Sequence, residues 1–185
     1  MRDHTLAIDF GTSNSAAAIV QDGQIRRLVI EPGAETLPTA VFFPARQGAM
    51  RIGQAASDAL IEGAEGRYMR ALKSVLGTAL FHESRLISGR RRTLSEVVTA
   101  FLAELRTRAE AASGLRFRRA LSGRPVHFYS NDPERDAQAE EDLRGCYLAA
   151  GFDAVDFLPE PEAAALASHG LGRAGEIGLI VDIGG

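Results

Sequence analysis

The sequence predicts an α/β fold in which a helical segment interrupts a sheet. The first 45 residues alternate short apolar runs with turn residues, which is typical of strands. From about Met50 the apolar residues recur at helical spacing, and from Leu121 onward strand-like and helix-like segments alternate. A chain of 185 residues is long enough for one core or two small subdomains.

Three short strands are predicted at the N-terminus, over residues 6–8, 15–20 and 25–30. The second and third are joined by Asp22-Gly23, a dipeptide that favours a tight hairpin turn. Residues 37–43 form a further apolar run. The chain therefore opens with an antiparallel meander.

The middle of the chain predicts helices over residues 55–61, 67–76 and 93–112. The third is the clearest, because Thr93 or Ser95 can cap it and Gly114 can end it. Its apolar stripe predicts a core-facing surface: Leu94, Val97, Val98, Phe101, Leu102 and Leu105.

The second half predicts the order β-α-β-α-β, with strands over residues 126–129, 154–158 and 177–183. Helices are predicted from Asn131 to about Ala150 and from Glu160 to about His169. Such alternation favours parallel strands with right-handed crossovers.

Composition excludes several classes of partner. The net charge of −3 gives no reason to expect nucleic acid or an anionic membrane, and no apolar run approaches the roughly 18 residues of a membrane span. The single Cys146 cannot form an intramolecular disulfide, and the N-terminus lacks a signal-peptide layout. A cytoplasmic location is therefore expected.

Residues 8–15 read as a strand, a tight turn and a second strand, with Asp9 at the point where the first strand ends. The backbone N–H groups of such a turn can form an anion-binding nest, and an adjacent carboxylate suits an accompanying cation. Asp182-Ile183-Gly184 repeats the strand-Asp-x-Gly pattern. Of the 21 basic residues only Lys73 is a lysine, so a compact ammonium can be specifically required there.

Four segments in this order resemble motifs of the actin-like ATPase superfamily, and within it of the seventy-kilodalton heat-shock (Hsp70, DnaK-type) chaperones. Residues 8–15 resemble the first phosphate motif, and residues 71–77 resemble the segment that carries the catalytic lysine. Residues 158–165 resemble the connecting helix, and residues 181–185 resemble the opening of the second phosphate motif. Within that family the chain most resembles the YegD-like chaperones, through Arg70-Ala71-Leu72-Lys73 and Gly123-Arg124-Pro125.

The resemblance implies a ribonuclease H-like lobe with an inserted, largely helical subdomain. The core would comprise residues 1–35 and 113–175, the insertion residues 36–112, and residues 176–185 the first strand of a second lobe. The implied activity is ATP hydrolysis with Mg²⁺, in a protein that binds client polypeptides and co-chaperones.

The resemblance also assigns roles to individual residues. Asp9 and Asp182 would bind Mg²⁺ through its waters, and Lys73, Glu160 and Asp182 would act in catalysis. The remaining residues would bind the phosphates of ATP or ADP: Gly11, Thr12, Ser13, Asn14, Gly184 and Gly185.

Because the chain stops inside the second phosphate motif, we expect an N-terminal fragment of the nucleotide-binding domain that is inactive alone. Two alternatives stay open at this point. A carbohydrate kinase of the same superfamily would also carry a strand-Asp-x-Gly-Thr motif. An actin-like scaffold or filament ATPase would share the nucleotide site without chaperone work.

Overall fold

The computed structural model describes residues 4–46 and 48–167, and it confirms the α/β class. The strands are β1 (His4–Phe10), β2 (Asn14–Gln21), β3 (Gln24–Arg27), β4 (Thr36–Pro38), β5 (Ala40–Pro44), β6 (Arg51–Ile52), β7 (Gly66–Arg70), β8 (Arg85–Ile87), β9 (Arg90–Arg92), β10 (Phe117–Arg124) and β11 (Ala154–Pro159). The helices are α1 (Gln54–Ile61), α2 (Ala79–His82), α3 (Leu94–Ser113), α4 (Pro133–Ala149) and α5 (Glu160–Ala167), and a 3₁₀ turn spans Leu72–Val75.

The main sheet is mixed, with strand order β11-β10-β1-β2-β3 and with β4 also paired to β2. β10 runs parallel to both β1 and β11, whereas β2 is antiparallel to β1 and β3. The predicted hairpin is confirmed: Asp22 and Gly23 both adopt positive φ, at 52° and 75°. These values are those of a type I′ turn, whose twist matches the twist of the strands it joins.

Helix α3 begins and ends where the sequence predicts. The Thr93 side chain accepts from the Glu96 N–H, the Glu96 carboxylate accepts from the Thr93 N–H, and Gly114 ends the helix with φ 70°. The predicted stripe is buried, and Phe101 packs on Phe10 of β1 with ring centroids 5.7 Å apart. Together with α4, which it contacts, α3 thus covers the main sheet.

The segment between β4 and α3 differs from the largely helical insertion that was expected. It contains a three-stranded sheet of order β6-β5-β7 and the two-stranded ribbon β8–β9, besides short helices. Apolar residues from this segment join the same buried cluster as the main sheet: Val41, Phe43, Ile52, Leu72, Leu76, Phe81 and Ile87. The division into residues 1–35, 36–112 and 113–175 stays a prediction.

Two predicted elements are wrong. Residues 126–129 are not a strand; the strand of that region is β10, which ends at Arg124 because Pro125 has no N–H for the ladder. Residues 67–70 are not helical but lie in β7, paired antiparallel with β5, and only the 3₁₀ turn follows.

The predicted strand over residues 177–183 lies outside the described residues. Within residues 4–46 and 48–167, no helix is both long and apolar enough to cross a membrane.

Candidate functional site

The turn over residues 11–14, called the opening turn below, joins β1 to β2 and is compact. A Cβ added to Gly11 would lie 2.3 Å from the carbonyl oxygen of Asn14, so the turn has no room for a side chain there. Asp9, Thr12, Ser13 and Asn14 are all exposed. The structure therefore presents a compact polar turn directly after an exposed carboxylate.

Thr39 holds this turn from the side. Its N–H donates to the Ser13 carbonyl at 2.8 Å, and its hydroxyl lies 2.8 Å from that of Ser15. Both Ser15 and Thr39 are buried, so each hydroxyl depends on the other for a partner. The Pro38–Thr39 connection between β4 and β5 thus fixes the far side of the turn.

Lys73 comes from a different element, the 3₁₀ turn that follows β7. Ala71 precedes this turn with φ 55°, a left-handed conformation that breaks the strand and redirects the chain. The Lys73 ammonium lies 2.6 Å from Glu160 Oε1, at the start of α5. Only 12% of the Lys73 side chain and 33% of the Glu160 side chain are exposed. The only lysine of the chain is therefore largely enclosed and paired.

Asp9 and Glu160 lie on either side of Gly123, at the end of β10. β10 lies between β1 and β11, with Ile8 opposite Ser122 and Leu158 opposite Gly123. A Cβ on Gly123 would lie 3.6 Å from Glu160 Cγ and 3.9 Å from Asp9 Oδ1. The three parallel strands end at the same edge, and the glycine on the middle strand leaves the space between the two carboxylates open.

Beneath this edge lies a buried hydroxyl pair that sequence reasoning did not select. Ser122 Oγ lies 2.8 Å from Tyr147 Oη, and both residues are 0% exposed. Burial raises the pKa of Tyr147, the hydrogen bond with Ser122 opposes the rise, and the Asp9 carboxylate adds to it. The hydroxyl of Tyr147 therefore stays neutral near physiological pH, hydrogen-bonded to the residue that precedes Gly123.

The structure brings together most of the predicted site residues that it describes. Lys73 contacts Glu160, Glu160 and Asp9 flank Gly123, and the turn of Gly11, Thr12, Ser13 and Asn14 continues from Asp9. Asp182, Gly184 and Gly185 lie outside the described residues. Within those residues, no three His, Cys, Asp or Glu side chains cluster as a metal site would require.

Gly123 and the Ser122–Tyr147 pair were missed for different reasons. Gly123 stands directly before Arg124-Pro125, and the strand predicted from the sequence begins only after that proline, at Val126. Its signal was the glycine itself, because a glycine within a strand often marks a close approach. Ser122 and Tyr147 carry no local signal, since they are 25 positions apart in the sequence.

No protein-family model matches the chain. Over 187 aligned residues the chain is 32% identical to the chaperone protein DnaK of Thermosipho melanesiensis. It is 31% identical to the chaperone protein DnaK of Thermosipho africanus. Each match covers 100% of this chain but 29% of the relative, so the chain spans less than a third of the length of these chaperones. Similarity to DnaK thus extends along the whole chain. The mixed sheet and packed helices of this chain are consistent with an actin-like ATPase lobe.

Proposed function

We propose that this chain forms the N-terminal part of the ATP-binding and ATP-hydrolysing domain of an Hsp70-type chaperone. The observation that carries the proposal is the 2.6 Å contact between Lys73 and Glu160 beside Asp9. Similarity to DnaK over the whole chain supports it independently. The YegD-like subtype, the client polypeptides, the co-chaperones and the inactivity of the chain alone belong to the proposal.

The residues present fit a phosphate and a hard cation. A tight turn of small residues offers backbone N–H groups to phosphate oxygens, and the close approach of Gly11 to Asn14 keeps that turn compact. Asp9 supplies a carboxylate oxygen, the ligand type that Mg²⁺ prefers, and Asp182 would supply a second. When bound, Mg²⁺ would neutralise charge on the phosphates.

Lys73 and Glu160 are proposed to act together. In phosphoryl transfer, positioning and electrostatic stabilisation supply most of the catalysis. The Lys73 ammonium would hold the attacking water and offset negative charge that develops on the transferring group. Glu160, already within hydrogen-bond distance of that ammonium, would hold Lys73 in place before the nucleotide enters and orient the water afterwards.

The test is ATP hydrolysis by the full-length protein that carries this chain. Lys73→Ala should lower kcat by about 100-fold or more, since it removes a charge that acts in the transition state. Arg91→Ala, an exposed cation on the β8–β9 ribbon, is the matched control and should leave kcat unchanged. Full activity of Lys73→Ala would overturn the proposal.

Stimulation separates the chaperone from the two alternatives. Unfolded peptide should accelerate ATP hydrolysis by a chaperone. A sugar that accelerates ATP consumption and becomes phosphorylated would instead identify a carbohydrate kinase. Nucleotide-dependent sedimentation without a response to peptide would identify a filament or scaffold ATPase.

A further inference from the structure

We propose that Asp142 of α4 is a positioning residue, which holds the turn that carries Lys73 by binding the backbone N–H of Gly77. The role in catalysis rests on the proposed function, whereas the structural coupling does not. Asp142 lies outside the four motifs described above, and it comes 69 positions after Lys73 in the sequence.

Asp142 is a buried acid with three hydrogen-bond donors around it. Only 1% of its side chain is exposed. Oδ2 accepts from the Gly77 N–H at 2.8 Å. Oδ1 lies 2.9 Å from His82 Nε2 and accepts from Gln138 Nε2 at 2.7 Å. Burial of a carboxylate is costly unless its oxygens accept hydrogen bonds, and both oxygens of Asp142 do so. We call this set of contacts the Asp142 anchor.

At Gly77 the segment that follows Lys73 packs closely against α4. Gly77 has φ 70°, and a Cβ there would lie 2.6 Å from the Arg135 carbonyl oxygen and 3.0 Å from Ala139 Cβ. Nothing larger than glycine fits between this backbone and the helix. Tyr129 reinforces the contact, because its hydroxyl donates to the Leu76 carbonyl at 2.7 Å.

Lys73 therefore lies between two backbone constraints. Left-handed Ala71 sets the start of the turn, and the Gly77–Asp142 bond fixes its end. The Glu160 ion pair restrains only the tip of a long flexible side chain. The position of the Lys73 backbone, and so the reach of its ammonium, depends on Asp142.

The first experiment needs no nucleotide. Because the chain contains one lysine, incorporation of ¹³C,¹⁵N-lysine labels Lys73 alone and yields one backbone amide signal and one Cε signal. Asp142→Ala should shift or broaden both signals. Asp142→Asn keeps an oxygen acceptor for Gly77 and should preserve them, as should Glu141→Ala, which removes a neighbouring acid whose side chain is 70% exposed.

If Asp142→Ala does not fold, Asp142→Leu fills the same space without an acceptor and provides the same test. Unperturbed Lys73 signals in a folded Asp142→Ala or Asp142→Leu variant would overturn the inference. Equal perturbation by Glu141→Ala would also overturn it, because the effect would then not be specific to the Gly77 contact.

The second experiment measures hydrolysis in the full-length protein. Asp142→Ala should lower kcat by about 10-fold to 100-fold through misplacement of Lys73, with the KM for ATP changed less than about 2-fold. In a Lys73→Ala background the same substitution should cause no further loss, because both changes remove one function. Additive losses would overturn the positioning role.

The proposed function and the positioning role of Asp142 can be refuted independently of each other. If Lys73→Ala hydrolyses ATP normally, the proposed function fails while the lysine spectra still test the coupling between Asp142 and Lys73. If Lys73→Ala is inactive and Asp142→Ala is fully active, the proposed function stands and the positioning role is wrong.

Discussion

The ammonium of Lys73 and the carboxylate of Glu160 lie 2.6 Å apart, although the two residues are 87 positions apart in the sequence. The pair joins the turn after β7 to the first residue of α5. Because most of the lysine side chain is enclosed, its charge depends on Glu160 for compensation. Any phosphate that approaches Lys73 must therefore compete with this carboxylate.

Glu160→Gln is expected to tighten ATP binding and slow hydrolysis in the full-length protein. The competing charge is removed, so Lys73 engages phosphate more readily, but water is no longer oriented. Loss of the partly exposed ion pair should lower the free energy of unfolding by about 1 kcal/mol. Calorimetric titration with ATP, phosphate release and denaturant unfolding measure the three effects. Glu162→Gln, an exposed acid in the same helical turn, is the control; weaker ATP binding by Glu160→Gln would contradict the expectation.

Gly11→Ala is expected to damage the opening turn. The new methyl carbon would meet the Asn14 carbonyl oxygen at 2.3 Å, and backbone on both sides must move. Overpacking of this kind costs about 1–3 kcal/mol. Because the strain falls on the proposed phosphate turn, ATP affinity should fall further than unfolding alone explains. Chemical denaturation and ATP titration of the same sample measure both effects, and unchanged affinity would count against a phosphate-binding turn.

Gly145→Ala is the contrasting change, and it should stabilise the protein. Gly145 lies inside α4, and a Cβ there would meet no atom within 4 Å. Alanine is favoured over glycine in a helix interior by about 1 kcal/mol. The expected result is a higher denaturation midpoint with unchanged ATP affinity. A lower midpoint would show that α4 is placed differently at this position.

Local chemistry explains why parts of the fold could be predicted from the sequence. The Asp22-Gly23 turn and the Thr93–Glu96 capping box are formed by residues one and three positions apart. The residues that predict each feature are the same residues that form it. The Asp9–Asn14 turn belongs to this group, since Gly11 and Asn14 are three residues apart.

Long-range contacts explain what could not be predicted. β10 is rich in arginine, so its apolar alternation is weak, and its parallel pairing with β1 is decided by residues more than 100 positions away. That pairing alone puts Gly123 between Asp9 and Glu160. Ala71 likewise adopts a left-handed conformation. Alanine has no preference for this conformation, so the sequence does not predict it.

Tyr147→Phe should lower the free energy of unfolding by about 1 kcal/mol near neutral pH, because the buried Ser122 hydroxyl loses its partner. Burial, opposed by Ser122 and assisted by Asp9, raises the pKa of Tyr147 above its usual 10.0. The folded tyrosine therefore stays neutral where the unfolded one ionises. Its contribution is fully present below pH 10 and declines as the pH rises beyond it.

Urea unfolding at pH 8 and pH 11 checks this expectation. The difference between the native chain and Tyr147→Phe should shrink at the higher pH. Tyr68→Phe, at a half-buried tyrosine of β7, serves as the control for tyrosine ionisation in general. A difference that stays constant between the two pH values would contradict a raised pKa at Tyr147.

Asp136→Asn should destabilise the connection between β10 and α4 in a pH-dependent manner. Asp136 Oδ1 accepts from the N–H groups of Phe128 and Tyr129, and His127 and Arg124 lie nearby. Burial alone would raise the pKa of this carboxyl, but the backbone N–H groups of Tyr129 and Phe128, with His127 and Arg124, hold it below 3.8.

Because the folded pKa is lowered, the stabilisation by Asp136 is present above about pH 4 and is lost as the pH falls through the folded pKa. At pH 6 the asparagine variant should be less stable by about 1 kcal/mol, since it offers a neutral acceptor in place of a charged one. Once protonated, the acid resembles asparagine, so the difference in stability between the two proteins should narrow as the pH falls through the folded pKa of Asp136. Asp156→Asn, whose carboxylate is 65% exposed, should show no comparable convergence. A difference that does not narrow as the pH is lowered from 6 would mean that shape, rather than charge, accounts for the role of Asp136.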